Sequence, residues 1–359
     1  MSRVNVVKSD LPDEREFFSH LKEVFANNIL TNNGPKCQEL ERVLAKFLDA
    51  EYLTICSNGT VAIEMAIRAA NAAGRPVITT PFTYVATITA PMWVGCEVIF
   101  ADIDPETLCI DPLSIAERIT DQVAAVIPVN IYGHPCDDEG IREAAGGVPI
   151  IYDAAQAFGA KLDGRSLFDF GDFATCSLHA TKVFHCGEGG FVVAHSAEKR
   201  RELCLLRAFG HDNDEYESVG INAKMSELHA CVGLSLLKDY YGRLEKRKKI
   251  DGLYRALLKR DKLRFPSTPE GFESNYGYFP VILKNENLLS RVVRALNQAD
   301  IFPRRYFYPA LTTLTYTRQS LETCPVAEDI AKRVLCLPLY ASLPLVVAEK
   351  IVEIVNSIE

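Results

Sequence analysis

From about residue 50 to 195, short apolar β-rich runs alternate with stretches of helical periodicity, and this alternation narrows the possible folds more than any other feature. Leu53–Ser57 reads as a strand. Thr60–Ala73 follows as a helix closed by Gly74, with Ile63, Ala66, Ile67 and Ala70 on one face at helical spacing. Pro76–Thr80, Glu97–Ala101, Val123–Val129, Pro149–Asp153, Phe173–Ser177 and Phe191–Ala194 read as further strands. Several are unbroken apolar runs, the pattern of strands covered on both faces. Strands and helices in this order imply an α/β fold, a mainly parallel sheet wrapped by helices. Open sheets of that kind bind ligands at the carboxyl edge of their strands.

Further along, the pattern changes. Gly210–Asn222 is polar and irregular and reads as a loop. A helix beginning near Ser226 carries Leu228, Cys231, Leu234 and Leu237 on an apolar stripe. Arg243–Arg260 is so charged that it reads as a solvated connecting helix. Tyr276–Leu283 and Ile301–Tyr308 read as strands flanking a helix at Leu288–Gln298, and Val346–Ile358 as a closing helix. This end of the chain is expected to form a small α+β domain. The 359 residues are too many for one small core, and the expected division is a large domain at 1–245 and a small one at 246–359.

With 48% hydrophobic and 24% charged residues, the chain can bury a sizeable core as a soluble globular protein. A net charge of −8 argues against a broad surface for nucleic acid or an anionic membrane. It leaves room for a small anionic ligand, which needs only a local cup of donors. The eleven cysteines are scattered and form no C-x-x-C pair, so neither a zinc framework nor a redox motif is indicated. His134, His179 and His185 have no metal-ligand spacing with nearby acids, and no metal is expected. The first residues lack the apolar stretch of a signal peptide. The longest apolar runs, such as Val123–Val129, are too short to span a bilayer. The expected location is cytoplasmic.

Chemistry concentrates in Ile150–Val193. Asp153 stands at the carboxyl end of an apolar run, where a carboxylate either caps the next helix or holds a pyridine nitrogen protonated. Gln156, three residues on, can point an amide toward the same place. Lys182, in S-L-H-A-T-K, precedes the glycine-rich Gly187–Gly190; in a partly apolar pocket a lysine can lose its proton and form a Schiff base. Taken singly, it is as well read as a surface lysine. Ser177 offers a hydroxyl to a phosphate or simply ends its strand. In S-N-G-T at Ser57–Thr60 a strand ends, Gly59 lets the backbone come close and a helix begins, and backbone amides at a helix start bind phosphate. Phe82 and Tyr84 offer an aromatic face for a flat ring, or core packing. There is no G-x-G-x-x-G or Walker motif. One reading unites these signals: an acid, an amide, a hydroxyl, a lysine and a phosphate cup around a phosphorylated pyridine aldehyde.

These motifs, with L-T-N-N-G-P at Leu30–Pro35, P-F-T-Y-V-A-T at Pro81–Thr87, D-I-D-P-E-T-L at Asp102–Leu108, N-I-Y-G-H-P at Asn130–Pro135, D-A-A-Q-A-F-G-A at Asp153–Ala160 and G-I-N-A-K-M-S-E-L at Gly220–Leu228, resemble the DegT/DnrJ/EryC1/StrS family of sugar aminotransferases. The resemblance runs from about Leu30 to the C-terminus. It implies the fold-type-I architecture of pyridoxal 5'-phosphate (PLP) enzymes, like aspartate aminotransferase. There a mainly parallel seven-stranded sheet forms a large PLP-binding domain with an N-terminal arm, beside a small α+β domain. By resemblance, Lys182 would carry PLP as a Schiff base and serve as the catalytic residue, with pyridoxamine 5'-phosphate as the alternate form. Asp153 would pair with the pyridine nitrogen, Gln156 with the ring hydroxyl, and Gly59, Thr60 and Ser177 with the phosphate. Tyr84 would stack on the ring. Asn222 would reach the phosphate of a neighbouring subunit, which implies a homodimer with shared sites. Thr31, Asn32, His179, Lys224 and Tyr308, the last followed by Pro309, would lie near the substrate.

Two positions depart from the family pattern. Asn130 stands where histidine is common, and Lys224 where arginine is common; lysine keeps the charge but loses the planar fork. The similarity is greatest to the branch that aminates C4 of dTDP-4-keto-6-deoxyglucose with L-glutamate, giving dTDP-4-amino-4,6-dideoxyglucose and 2-oxoglutarate. C3 aminotransferases and enzymes for other nucleotide keto-sugars share the same cofactor residues and stay open as alternatives. A PLP sugar dehydratase would carry histidine at position 182, and a non-catalytic regulatory relative would have no need of Lys182, Asp153 and Gln156 together. The resemblance makes synthesis of a surface polysaccharide such as O-antigen, or of a glycosylated metabolite, the expected setting.

Overall fold

The apolar runs of the first half pair side by side. The computed structural model describes residues 3–317 and 323–358. One edge group is ordered Tyr52–Cys56, Gly190–Ala194, Phe173–Ser177, Ile151–Asp153, and the other Ala125–Ile127, Val77–Thr79, Val98–Phe100. Parallel bridges from Val126 to Ile150 and from Val129 to Asp153 join them into a single seven-stranded sheet. All neighbours run parallel except Gly190–Ala194, which is antiparallel to the strands on both sides. Both faces are covered, as the unbroken apolar runs require. Ile78, Val126, Phe191 and Val193 face a core shared with Leu40, Leu44 and Phe184. Their chain neighbours Val77, Ala125, Ile127 and Val192 face Ile63, Ala66 and Ile67 of the helix Gly59–Ala69.

That helix stops before the expected Ala73, with Ala70 as its cap. The turn after it needs left-handed backbone at Asn71 and Gly74, which no helix carries. The Gly210–Asn222 segment is mostly irregular, as expected, around a short hairpin of His211–Asp212 with Glu215–Tyr216. In the next helix, Glu227–Leu237, the buried face runs through Glu227, Ala230, Cys231 and Leu234. Leu228 falls to one side of it and is 45% exposed, so it does not belong to the apolar stripe assigned from the sequence.

A separate core gathers Ile250, Tyr254, Phe279, Val281, Leu289, Val292, Leu335, Leu337, Ile351 and Val355. Its sheet is antiparallel, Leu263–Arg264 against Phe279–Leu283 against Val334–Leu337. Val4 joins this core because Val4–Asn5 pairs in parallel with Ile301–Phe302. The helix Tyr240–Leu257 reaches both cores, Tyr240 in the first and Ile250 and Tyr254 in the second, and the expected division at 245/246 falls within it. It is not the solvated connector its charges suggested. Arg247 and Asp251 are buried, and Arg247 donates to the Leu339 carbonyl at 3.0 Å. The strand expected over Ile301–Tyr308 ends at Phe302, because Pro303 has no N–H to offer a neighbour. The helix Pro325–Arg333 and the strand Val334–Leu337 were not anticipated. Of the eleven cysteines, all but Cys204 are buried. No helix among the described residues is long and apolar enough to cross a membrane.

Candidate active site

The carboxyl ends of the central strands open onto a cleft of about 730 Å³. Its floor is built from the segments that follow each strand: Asn58–Thr60, Thr83–Tyr84 with Thr87, Asp153–Gln156, and Ser177–Lys182. Tyr278, Arg304, Tyr306 and Phe307 close the other side. Gly59, Thr60, Tyr84, Asp153, Gln156, Ser177, His179 and Lys182 therefore converge on one space.

At one end lies the start of the helix Gly59–Ala69. Asn58 caps it, its side-chain oxygen accepting the Val61 N–H at 2.9 Å. Helix geometry leaves the amides of Gly59 and Thr60 without acceptors inside the helix, so they remain for a ligand. Ser177 lies directly against Gly59. A β-carbon at position 59 would meet the Ser177 Cβ at 2.7 Å and its Cα at 3.0 Å. Two amides and one hydroxyl thus form a cradle that exists only because residue 59 has no side chain.

At the other end Asp153 is buried, with one oxygen accepting from the Thr87 hydroxyl at 2.6 Å and the other from the Ala155 N–H at 3.1 Å. Burial raises its proton affinity above the usual carboxylate value, against the opposing pull of Thr87, Ala155 and Lys182. Gln156 is oriented by the backbone: the Tyr132 N–H donates to its Oε1 at 2.6 Å, which leaves the amide NH2 as the group free to donate to a ligand. The Tyr132 hydroxyl in turn donates to the Tyr306 carbonyl, tying this wall of the cleft to the opposite one.

Lys182 Nζ lies 3.4 Å from the Tyr278 hydroxyl. Burial opposes its charge, but Tyr278 and Asp153 outweigh burial and push its pKa up. Tyr84 is 61% exposed over the cleft, with Phe307 6.4 Å away between ring centres. His179 contacts the Thr181 hydroxyl at 2.9 Å and lies 3.7 Å from Glu188.

Five residues singled out from the sequence lie outside this cleft. Asn222 is exposed and bridges Ala208. Thr31 and Asn32 are exposed in the turn before the helix Pro35–Leu48. Lys224 packs its ammonium over Phe209 at 4.7 Å, and Tyr308 lies under the Arg305 guanidinium at 3.4 Å. Asn130 is buried behind the site, its amide donating to the His134 carbonyl at 3.1 Å while its backbone N–H donates to the Asp153 carbonyl at 3.0 Å. Sequence reasoning did not pick out Thr87, Tyr278, Arg304, Tyr306 or Phe307. Thr87 sat inside a quoted motif, four residues from Thr83 at helical spacing, and that spacing was the available signal.

The fold and this donor set together define a fold-type-I, PLP-dependent aminotransferase. An anion cradle, a carboxylate, an amide donor and a lysine line one cleft, and these are the kinds of group that a phosphorylated pyridine aldehyde calls for. Residues 12–357 match the DegT/DnrJ/EryC1/StrS aminotransferase family, and the chain belongs to that family, as a PLP-dependent sugar-nucleotide aminotransferase. It is 39% identical over 362 residues to the dTDP-4-amino-4,6-dideoxy-D-glucose transaminase of Shigella dysenteriae, covering 99% of this chain and 98% of that one. The Escherichia coli enzyme of the same name is 36% identical over 354 residues, covering 95% and 94%. Among solved structures, DesI in the presence of its TDP-sugar product superposes with a TM-score of 0.93 at 27% identity, over 99% of this chain and 93% of that one.

Proposed function

We propose that this enzyme transfers the amino group of L-glutamate to C4 of dTDP-4-keto-6-deoxyglucose, giving dTDP-4-amino-4,6-dideoxyglucose and 2-oxoglutarate. The convergence of Lys182, Asp153, Gln156 and the Gly59–Ser177 cradle in one cleft carries the chemistry. The substrate follows from the 39% and 36% identity, over nearly the whole chain, to two transaminases named for that product.

In this reading the bound PLP supplies an electron sink for the pair left when a carbon next to nitrogen loses its proton. Gly59 and Thr60 donate their amides, and Ser177 its hydroxyl, to the phosphate. Asp153 holds a proton at the ring nitrogen. Gln156 donates its NH2 to the ring oxygen, and Tyr84 covers the ring face. Lys182 Nζ takes the α-proton of L-glutamate and, in the second half-reaction, returns a proton to the sugar carbon that receives nitrogen. It must be neutral when it accepts a proton. Tyr278 and Arg304 line the side of the cleft that faces the cofactor-binding segments.

The working unit in this proposal is a homodimer in the cytoplasm, serving surface-polysaccharide synthesis. Asn222, exposed and outside its own cleft, reaches the partner's phosphate site. Thr31, Asn32, His179, Lys224 and Tyr308 are assigned to the substrate. Residues 1–245 carry the cofactor and 246–359 form the smaller domain, with Tyr240–Leu257 bridging them.

The test is a spectral titration of the PLP-loaded protein. L-glutamate should bleach the visible cofactor band and dTDP-4-keto-6-deoxyglucose should restore it. Bleaching without restoration would reject the acceptor, and no response to glutamate would reject the donor.

A further inference from the structure

The carboxylate that faces the ring nitrogen does not stand alone. Thr87 Oγ1 lies 2.6 Å from Asp153 Oδ2, and Thr83 Oγ1 lies 2.8 Å from Thr87 Oγ1. Both threonines are buried, and Thr87 also lines the cleft. A hydroxyl has one proton to give. If Thr87 gives its proton to an ionised Asp153, it must accept from Thr83, so the three groups form a one-way chain of donors ending on the carboxylate. If Asp153 were protonated on Oδ2, its own O–H would point at Thr87 and the chain would reverse. A chain that donates toward the carboxylate favours its charged form. Charge-assisted bonds of this length are the strong ones, and water has little access to replace them.

We propose that Thr87, backed by Thr83, is a positioning residue that keeps Asp153 charged and aimed at the pyridine nitrogen of the cofactor. The proposal rests on Asp153 being the partner of that nitrogen. Two of the roughly four lone-pair directions of the carboxylate are taken, by Thr87 and by the Ala155 N–H, and the rest are free to face the ring. The other ionisable groups whose fields reach Asp153 are Lys182 and the Cys176 thiol on the adjacent strand, with the Tyr278 hydroxyl beyond Lys182. Lys182 forms the bond to the cofactor, and burial holds the Cys176 thiol protonated far above neutral pH. That leaves Thr87 as the side-chain donor assigned to Asp153 throughout the cycle.

Two variants separate this role from packing. Thr87→Val keeps the shape and removes the donor, while Thr87→Ser keeps the donor and removes a methyl group. Without the donor the carboxylate becomes a stronger base and draws the ring proton toward itself. The ring then carries less positive charge, and the nitrogen joining the cofactor to Lys182 holds its proton to higher pH. In Thr87→Val the pH midpoint of the bound cofactor's visible band should move up, and PLP affinity, followed by quenching of protein fluorescence, should fall by about tenfold, the worth of one bond to a charged group. Thr87→Ser should restore both, and Thr83→Val should move both the same way by less. If Thr87→Val leaves the midpoint at the wild-type value, the proposal fails whatever happens to stability. Should Thr87→Val not fold, an unmoved midpoint in Thr83→Val overturns it equally. Asp153→Asn is the control: if it leaves the band and the affinity unchanged, the assignment of Asp153 is wrong, and if it alone moves them, only the role of Thr87 is lost.

Discussion

Replacing Gly59 with alanine places a methyl carbon where Ser177 already stands. The new Cβ would lie 2.7 Å from the Ser177 Cβ, 3.0 Å from its Cα and 3.3 Å from its Oγ. Carbon atoms in contact rest at ~3.5–4.0 Å. The overlap is with the backbone of a central strand paired on both sides, so the helix start must move rather than a side chain. Overpacking of this kind costs about 1–3 kcal/mol. The same displacement carries the Gly59 and Thr60 amides away from the phosphate, and a loss of about 1.4 kcal/mol there weakens binding tenfold. Gly59→Ala should therefore lower the stability of the cofactor-free protein in urea denaturation and raise the PLP dissociation constant by about tenfold or more. Ser177→Gly removes the nearest atom. The double variant should be more stable than Gly59→Ala alone, with a coupling of about 1 kcal/mol, yet it should not recover full PLP affinity, because the Ser177 hydroxyl is gone. Additive effects on stability, or wild-type PLP affinity in Gly59→Ala, would refute the close-approach argument.

Other consequences can be checked as directly. Lys182→Ala should abolish turnover while circular dichroism and elution volume stay those of the parent protein, and normal turnover would end its assignment as the catalytic base. Arg304→Met removes a guanidinium from the cleft wall and should raise the KM for an anionic substrate about tenfold; half-reaction kinetics will show whether the donor or the sugar nucleotide depends on it. His134 is buried, and burial, with Arg255 nearby, lowers its pKa from 6.5 to about 4. A lowered folded-state pKa means that its contribution to stability is present above pH 6.5 and is lost as pH falls toward 4. The full span is worth about 3 kcal/mol, so His134→Gln should flatten the decline in unfolding free energy between those limits, and an unchanged slope would contradict it.

Much of the sheet was legible because strands buried on both faces have to be apolar throughout. Phe173–Ser177 was read to the residue, and Ala125–Ile127 and Ile151–Asp153 sit inside their longer apolar runs. Errors arose where a local pattern was overruled by a distant contact. Arg247 reads as a surface charge until the Leu339 carbonyl, 92 residues on, accepts its hydrogen bond. Leu228 reads as part of a stripe with Cys231 and Leu234, but the helix turns Glu227 and Ala230 inward in its place. In the site, Lys182, Asp153, Gln156 and the Gly59 cup were legible because each follows a strand at the edge where ligands bind. Tyr278, Arg304, Tyr306 and Phe307 were not, since they come from far along the chain and no spacing links them to the strands that build the floor. Asn222, Thr31, Asn32 and Lys224 stand outside the cleft.

The position of Tyr52–Cys56 at one edge of the sheet bears on how the chain is born. Its partner, Gly190–Ala194, leaves the ribosome only after more than a hundred further residues, about 7–30 s later at ~5–20 residues per second. During that interval the first strand to be made has apolar side chains and bare peptide groups but no mate. Sheet growth cannot follow the order of synthesis. The inner strands are finished first, and Gly190–Ala194, the one reversed strand, then closes the gap between Phe173–Ser177 and the waiting edge. The loop holding Lys182 lies between those last two strands, so the lysine is set in place only when the sheet itself is completed.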